Sequence, residues 1–361
     1  MTVDPVQRNA WRRLKRNKVA FGGLIVIILF TLMAVFAYFI SPDSSPNANR
    51  MIVEIGGRKP GFTQQFLKLP KAGIVPQTSL LEQLLFGKTD RFEYVPVEGV
   101  IWRQDSVVVE KYIDEGHTER IAYSTGKFSG GPAMHVTTIR FWLGTDKYGR
   151  DILSRLIVGV RVSLAVGLVT VVLSVLIGVL LGSLAGYFRG KVDDVIMWIV
   201  NIVWSIPTLL LVFAITLVLG KGFWQVFIAI GLTTWVSVAR LIRGQVMGIR
   251  QLEYIEAGRA LGYSSSRIII RHILPNITGP LIVIAASNFA SAIIIEAGLS
   301  FLGVGVQPPM PSWGLMIKEN YNFIITQNPM LALAPGFAIM IVVLAFNLLG
   351  NGLRDALQVK E

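Results

Sequence analysis

What most limits the fold of this chain is the placement of its charges, because Asp, Glu, Lys and Arg leave six long gaps between them. Val19 to Pro42 lies between Lys18 and Asp43, Val162 to Phe188 between Arg161 and Arg189, and Val195 to Gly220 between Asp194 and Lys221. Gly222 to Ala239 is the shortest gap, His272 to Ile295 holds one titratable residue, and Asn320 to Leu353 is over-long and must begin with loop. An apolar helix of roughly 18 to 20 residues crosses the hydrocarbon core, so each gap has the length of a span. A seventh gap, Ala297 to Lys318, carries Gln307-Pro308-Pro309-Met310-Pro311-Ser312 and cannot be a continuous helix. The expected fold is an all-α integral membrane protein with six transmembrane helices. Only 16% of the 361 residues are charged and 53% are hydrophobic, against about a quarter charged in soluble domains. That excludes an ordinary soluble enzyme and a disordered chain. With no Cys there is no disulfide framework, thiolate catalysis or Cys-ligated metal.

Orientation follows from the Lys and Arg bias of short flanks. Arg8, Arg12, Arg13, Lys15, Arg16 and Lys18 face a single acid, Asp4, so residues 1–18 are expected to be a cytoplasmic N-terminus before the first span, 19–40. Alternation then puts Arg189 and Lys191 inside, and with them Arg240, Arg243, Arg250, Arg259, Arg267 and Arg271, opposed only by Glu253 and Glu256. Residues 354–361 form a tail on the same side, so both termini are expected to be cytoplasmic. The first span is too long for a signal-peptide core and lacks an A-x-A cleavage site, so it is expected to stay as an anchor. The net charge of +12 is therefore a topology signal and not a nucleic-acid footprint.

Residues 41–140 differ in character, with 12 basic and 11 acidic residues. Short β-branched and aromatic runs (Met51–Ile55, Phe92–Val95, Val107–Val109) are broken by Gly and Pro, the pattern of strands. A β-rich extracytoplasmic insertion between the first two spans is expected, followed by a core of five spans over 141–353. Gly87-Lys88-Thr89 imitates the end of a phosphate-binding loop, but Glu82 stands where the first Gly is required. His117, His135 and His272 are scattered, no H-E-x-x-H occurs, and no metal site is expected; Asn276-Ile277-Thr278 is a chance sequon on the cytoplasmic side.

The most informative stretch runs from Glu253 to Asn276 inside the expected cytoplasmic loop 241–276. A short helix of good formers ends at Gly262, a natural residue for a helix stop. Ser264 to Ser266 offer an N-cap for a second helix, whose Arg267 and Arg271 share a face before Pro275. Ala257, Gly258 and Ala260 give the first helix a small-residue face open to a partner's backbone, with Glu253, Glu256 and Arg259 beside it for polar contacts. An ordinary amphipathic loop fits the same residues.

Glu256-Ala257-Gly258, then Gly262, then Leu274-Pro275 resembles the E-A-A, x3, G, x11, L-P signature of permease subunits of ABC importers. Gly258 replaces the second Ala, and His272 stands where the general pattern has Ile. Gly144-Thr145-Asp146-Lys147-Tyr148-Gly149-Arg150-Asp151 with Ser154-Arg155-Leu156, and Ser300 to Pro309 with Pro311-Ser312-Trp313-Gly314, resemble the C-type permease of dipeptide and oligopeptide importers. The resemblance covers residues 1–40 and 140–361; the insertion is longer than usual there.

It implies a type I importer permease core that passes short peptides inward by alternating access across the cytoplasmic (inner) membrane of a prokaryote. Implied partners are a second homologous permease, two ATP-binding subunits gripping the loop, and an extracytoplasmic peptide-binding protein. ATP and Mg would sit on those subunits, and this chain would be no enzyme and hold no cofactor. A nickel or other small-solute importer fits the same scaffold, and a secondary carrier is the more distant alternative.

Glu296 is the outlier within the spans, a carboxylate beside hydrocarbon. The resemblance puts its span at the central pathway, where it would face a peptide's ammonium or hold a gate; pairing with a neighbouring subunit is the alternative. Pro207 must kink the third span and so stands as a second pathway candidate. Asp146, Gly149, Arg150 and Asp151 are expected to cap the entry to the second span rather than to catalyse.

Overall fold

The structure is a computed structural model and describes residues 5–71, 78–128, 134–220, 222–325 and 328–357. Along the chain come α1 (Pro5–Arg16), α2 (Lys18–Val35), the short α3 (Ala37–Ile40), β1 (Phe62–Pro70), α4 (Leu80–Phe86), β2 (Phe92–Trp102), β3 (Ser106–Asp114), β4 (His117–Ser124) and β5 (Val136–Phe141). Then follow α5 (Ile152–Phe188), α6 (Gly190–Ser205), α7 (Thr208–Leu219), α8 (Phe223–Ile249), α9 (Glu253–Ala260), α10 (Ser265–Ile268), α11 (Thr278–Leu302), α12 (Trp313–Asn320) and α13 (Met330–Leu357).

Among the described residues, five helices or helical runs are long and apolar enough to cross a membrane: α2, α5, α8, the run Ser265–Leu302, and α13. The sixth expected span is a pair: α6 and α7 meet at 95° across Ile206 and Pro207. Ile206 is extended and Pro207 stands at the N-terminal boundary of α7, so the proline breaks the segment outright rather than kinking it. A count of six spans holds if this pair is one broken span. The uncharged gap also ended α8 too early. The helix passes Arg240 and Arg243 and continues to Ile249, well beyond the expected loop start at 241. Arg243 donates to both oxygens of Asp193 on α6, at 2.5 and 2.6 Å, and the Arg240 guanidinium lies 3.3 Å from the Trp204 ring centre and donates to Asn201. Each cation has a partner, and the helix has no reason to stop.

The chain divides into two compact units. The first comprises Met1–Phe30, Ser163–Gln307 and Ala338–Glu361. A close seam joins α5 to α8: a Cβ on Gly182 would lie 2.5 Å from the Ala239 carbonyl oxygen, and Gly178 and Gly186 abut the Val238 and Val246 side chains. Small residues let backbones touch where lipid supplies no hydrophobic drive. Two clusters of buried side chains fill this unit, one with Val166, Val212, Phe227, Ile230 and Leu299, the other with Tyr187, Ile242, Ile255, Ile268 and Ile273 and taking in Val238 and Val246 of the seam.

The second unit comprises Thr31–Val162 and Pro308–Phe337. Its five-stranded antiparallel sheet has the order β4-β3-β2-β1-β5. Both faces are buried: Phe66 joins Ile52, Ile55, Tyr112 and Phe141, while its neighbour Leu67 joins Val95, Val97, Val107 and Val109 on the other side. Two of the three expected strand segments lie within β2 and β3. Met51–Ile55 does not form a strand; Val53–Ile55 is a 3₁₀ turn, and Ile52 and Ile55 plug one face of the sheet. The Gly87-Lys88-Thr89 decoy also resolves, since Gly87 (φ +85°) follows the end of α4, whereas a phosphate-binding Gly-Lys precedes a helix.

Candidate functional site

Three groups of residues drawn from the sequence occupy different places. The first is the loop between α8 and α11. Helix α9 stops by a Schellman arrangement: the Gly262 N–H donates to the Arg259 carbonyl at 2.9 Å and the Tyr263 N–H to the Gly258 carbonyl at 3.0 Å. Gly262 takes φ +80° with nothing within 4 Å of an added Cβ, so its glycine is required by the backbone alone. Ser264 then caps α10, accepting from the Arg267 N–H. Pro275 has no N–H to give the Arg271 carbonyl, and the helix adapts around it with a π turn over Ile269–Ile273 and a 3₁₀ turn over Leu274–Ile277. The result is a nearly unbroken helical run into α11.

Burial divides α9 into two faces. Ile255 and Gly258 point inward, Gly258 beneath the Tyr263 ring at 3.4 Å from an added Cβ. Glu253, Glu256, Ala257 and Ala260 are exposed, together with Leu252, Tyr254 and Leu261. The small face is therefore split, with Ala257 and Ala260 outward and Gly258 seated on the protein. Arg259 lies 5.2 Å from the Tyr187 ring and Arg267 4.1 Å from the Tyr263 ring, which stacks on His272 at 5.9 Å. Leu274 is half-buried and Pro275 exposed. The site is a short rigid helix with three apolar and two acidic side chains on its open side, rooted on the bases of the membrane helices.

The second group lies within the spans. Glu296 on α11 is fully buried and accepts from the Ser300 hydroxyl at 2.6 Å; Ser300 in turn accepts from the Val306 N–H at 3.0 Å. The carboxylate thus anchors the loop after α11. A separate cavity of about 450 Å³ opens at the α6–α7 break, lined by Trp204, Thr208, Thr233, Thr234, Ser237, Asn288 and Ser291 among apolar neighbours. Pro207 positions this cavity by ending α6 beside it; Glu296 is not in its wall. The sequence signal for these polar residues was faint, namely hydroxyls and one amide inside otherwise apolar gaps.

The third group is the cluster before α5. Arg150 is 1% exposed and donates to Asp146 at 2.6 Å and to Glu319 at 2.8 Å, while Arg155, equally buried, reaches the same Glu319 at 3.4 Å. Glu319 was missed because it lies far along the sequence, on α12. Asp151 accepts from the Ser154 N–H at 2.9 Å as the cap of α5, and burial, with Asp43 nearby, pushes its carboxyl above the usual carboxylate range. Gly149 has φ +73°, and a Cβ there would sit 1.7 Å from the Ile52 carbonyl oxygen. Among the described residues the buried Asp151 Oδ1 and Arg155 Nη1 have no hydrogen-bond partner, while Asp146, Arg150 and Glu319 are paired and Asp151 caps the helix, the arrangement of an ion-paired helix cap.

Residues 178–360 match the family model described as binding-protein-dependent transport system inner membrane component, and residues 7–52 match the N-terminal TM domain of oligopeptide transport permease C. The dipeptide transport system permease protein DppC of Alkalihalophilus pseudofirmus is 33% identical over 98% of this chain and 90% of its own length. The glutathione transport system permease protein GsiD of Pectobacterium atrosepticum is 43% identical over 61% of this chain and 72% of its own. Among solved structures, an inward-facing MetNI methionine ABC transporter matches 56% of this chain and 96% of that chain, with a TM-score of 0.48 and 22% identity.

Proposed function

The chain belongs to the binding-protein-dependent transport system inner membrane component family, and from that premise we propose that it carries di- or oligopeptides inward across the cytoplasmic membrane as one permease subunit of an ATP-driven importer. It is a transport subunit and not an enzyme. The observation that carries the proposal is α9: an exposed helix whose base is locked by Ile255, the Gly262 stop and the Ser264 cap transmits a push instead of absorbing it. Two ATP-binding subunits, each with its ATP and Mg, would grip α9 and the corresponding helix of a second homologous permease. An extracytoplasmic binding protein would deliver the peptide.

With both termini and the α8–α11 loop cytoplasmic, closure of the ATP-binding subunits moves Glu253 to Gly262, and the π turn before Pro275 passes that movement to α11. Alternating access follows from the rotation of the spans. Support for a peptide cargo comes from the relatives' names, since dipeptides and glutathione are both short peptides. The test is uptake by vesicles holding the full set of subunits: labelled dipeptide should accumulate with ATP and loaded binding protein. Accumulation of nickel and not peptide would replace this reading by the metal-importer one.

A further inference from the structure

The cavity at the α6–α7 break has a chemistry that no part of the coupling loop or the ion-paired cap explains. It lies deep in the spans: Asn288 is ten residues into α11, about 15 Å along its axis at 1.5 Å per residue. Its volume of about 450 Å³ falls within the range of small-molecule sites, about 300–1,000 Å³. No lining residue carries a charge. The hydroxyls of Thr234, Ser237 and Ser291 donate back to their own helices, at 2.9, 2.8 and 3.1 Å; the Ser237 Oγ also lies 3.5 Å from the Asn288 Oδ1, and the Thr234 and Ser291 oxygens remain as acceptors. Asn288 is 8% exposed, and among the described residues its Nδ2 has no hydrogen-bond partner. Leaving such a donor buried and unpaired costs about 1–3 kcal/mol, so the amide is a group waiting for an occupant.

The break supplies the rest. The first bond of α7 is from the Leu211 N–H to the Pro207 carbonyl, so the N–H groups of Thr208, Leu209 and Leu210 have no partner within the helix; at the end of α6 the Ile202 carbonyl accepts from the Ser205 hydroxyl at 2.7 Å, and the carbonyls after it have no helical N–H to accept from. Non-helical backbone at membrane depth is tolerated where it lines a cavity. We propose, on the importer reading above, that this cavity is a mid-membrane way station that binds the main-chain amides of the translocated peptide. Uncharged donors and acceptors together match an amide backbone and are indifferent to side-chain charge. A metal ion finds no carboxylate in this wall, and an acidic or basic group finds no counter-charge.

The probes are three labelled dipeptides, one neutral, one with Lys and one with Asp, given to vesicles holding the complete importer. Asn288→Leu keeps the volume and removes the amide; uptake at saturating binding protein should fall about tenfold, by the same factor for all three peptides, with more ATP spent per peptide. Ser291→Asp, on an exposed position, places a charge in the wall and should slow the Asp peptide at least tenfold relative to the Lys peptide. Wild-type uptake by Asn288→Leu, or charge-blind uptake by Ser291→Asp, overturns the way station while the importer reading stands. Loss of the second permease on purification of either variant overturns it in favour of a subunit contact. A wild-type complex that takes up none of the three peptides overturns the importer reading itself.

Discussion

At the residue scale the two glycines of the α9 motif separate cleanly. Gly262→Ala meets open space but a left-handed backbone, a cost of about 1–2 kcal/mol for a non-glycine, so the stop should fray; Gly262→Asn should retain much of the function. In the complete importer the alanine variant should hydrolyse ATP with little uptake, and normal coupling would show that the stop is dispensable. Gly258→Ala restores the residue usual at this place, and its Cβ would find ordinary contact with Tyr263 at 3.4 Å; a melt of the complex should show no loss, and a gain of up to about 1 kcal/mol from helix propensity. Asp151 gives a pH test. Its folded-state carboxyl holds a proton more tightly than the unfolded one, so its contribution to stability falls as pH rises from the ordinary carboxylate range through the raised value. Asp151→Asn should flatten that part of the melting profile, and an unchanged slope would assign it elsewhere. Legibility at this scale followed charge. Glu296 stood out in the sequence because a carboxylate in a span is costly, although its partner Ser300 gives it an anchoring geometry. Asn288 did not stand out, because an amide among apolar residues leaves no comparable mark.

At the element scale, long uncharged gaps pointed to apolar helices long enough to cross a membrane, since a helix in hydrocarbon has no other way to satisfy its backbone. They failed at boundaries where a charge is paired within the protein, as Arg243 is with Asp193, and α8 runs on past it. Gly178, Gly182 and Gly186 recur every fourth residue on α5, a spacing that suits close helix packing without naming the partner. The structure supplies it: the neighbour of Gly182 is backbone, the Ala239 carbonyl, which cannot swing aside. Gly182→Ala should therefore push α5 from α8 and cost about 1–3 kcal/mol, in the manner of overpacking, with a lower melting temperature of the purified complex. Gly244→Ala on α8, where a Cβ meets nothing within 4 Å, is the matched control and should be neutral or slightly stabilising. Equal losses at both positions would mean that the seam is not where the energy lies. Strands were harder to read. β4 is mostly exposed (His117 to Ser124), with only Ile121 and Tyr123 alternating inward; it forms because β3 offers an edge, which is tertiary information.

At the scale of the whole molecule, what the chain contains decides what it does alone. A carrier that couples uptake to a proton gradient needs paired acids and bases able to exchange protons within its spans. Among the described residues the candidate spans offer Glu296, held by Ser300, and a cavity whose uncharged wall mixes hydroxyls, one amide and Trp204 with aliphatic side chains. Among the described residues the ion pairs are the Arg150, Asp146 and Glu319 cap ahead of α5, pairs within the β-rich unit, and Arg243 with Asp193, which ties α8 to α6. On the importer reading, work enters from outside the chain, through the exposed face of α9. Vesicles containing this chain alone should show no flux of labelled dipeptide, with either an imposed proton gradient or internal ATP, and flux should appear when the second permease, the ATP-binding subunits and loaded binding protein are added together. Proton-driven accumulation by the single chain would refute the subunit reading. Replacement of Leu252, Tyr254 and Leu261 by Ser would then locate the entry point, since these side chains are exposed, none belongs to a buried cluster, and their loss should abolish co-purification of the ATP-binding subunits while leaving the chain folded.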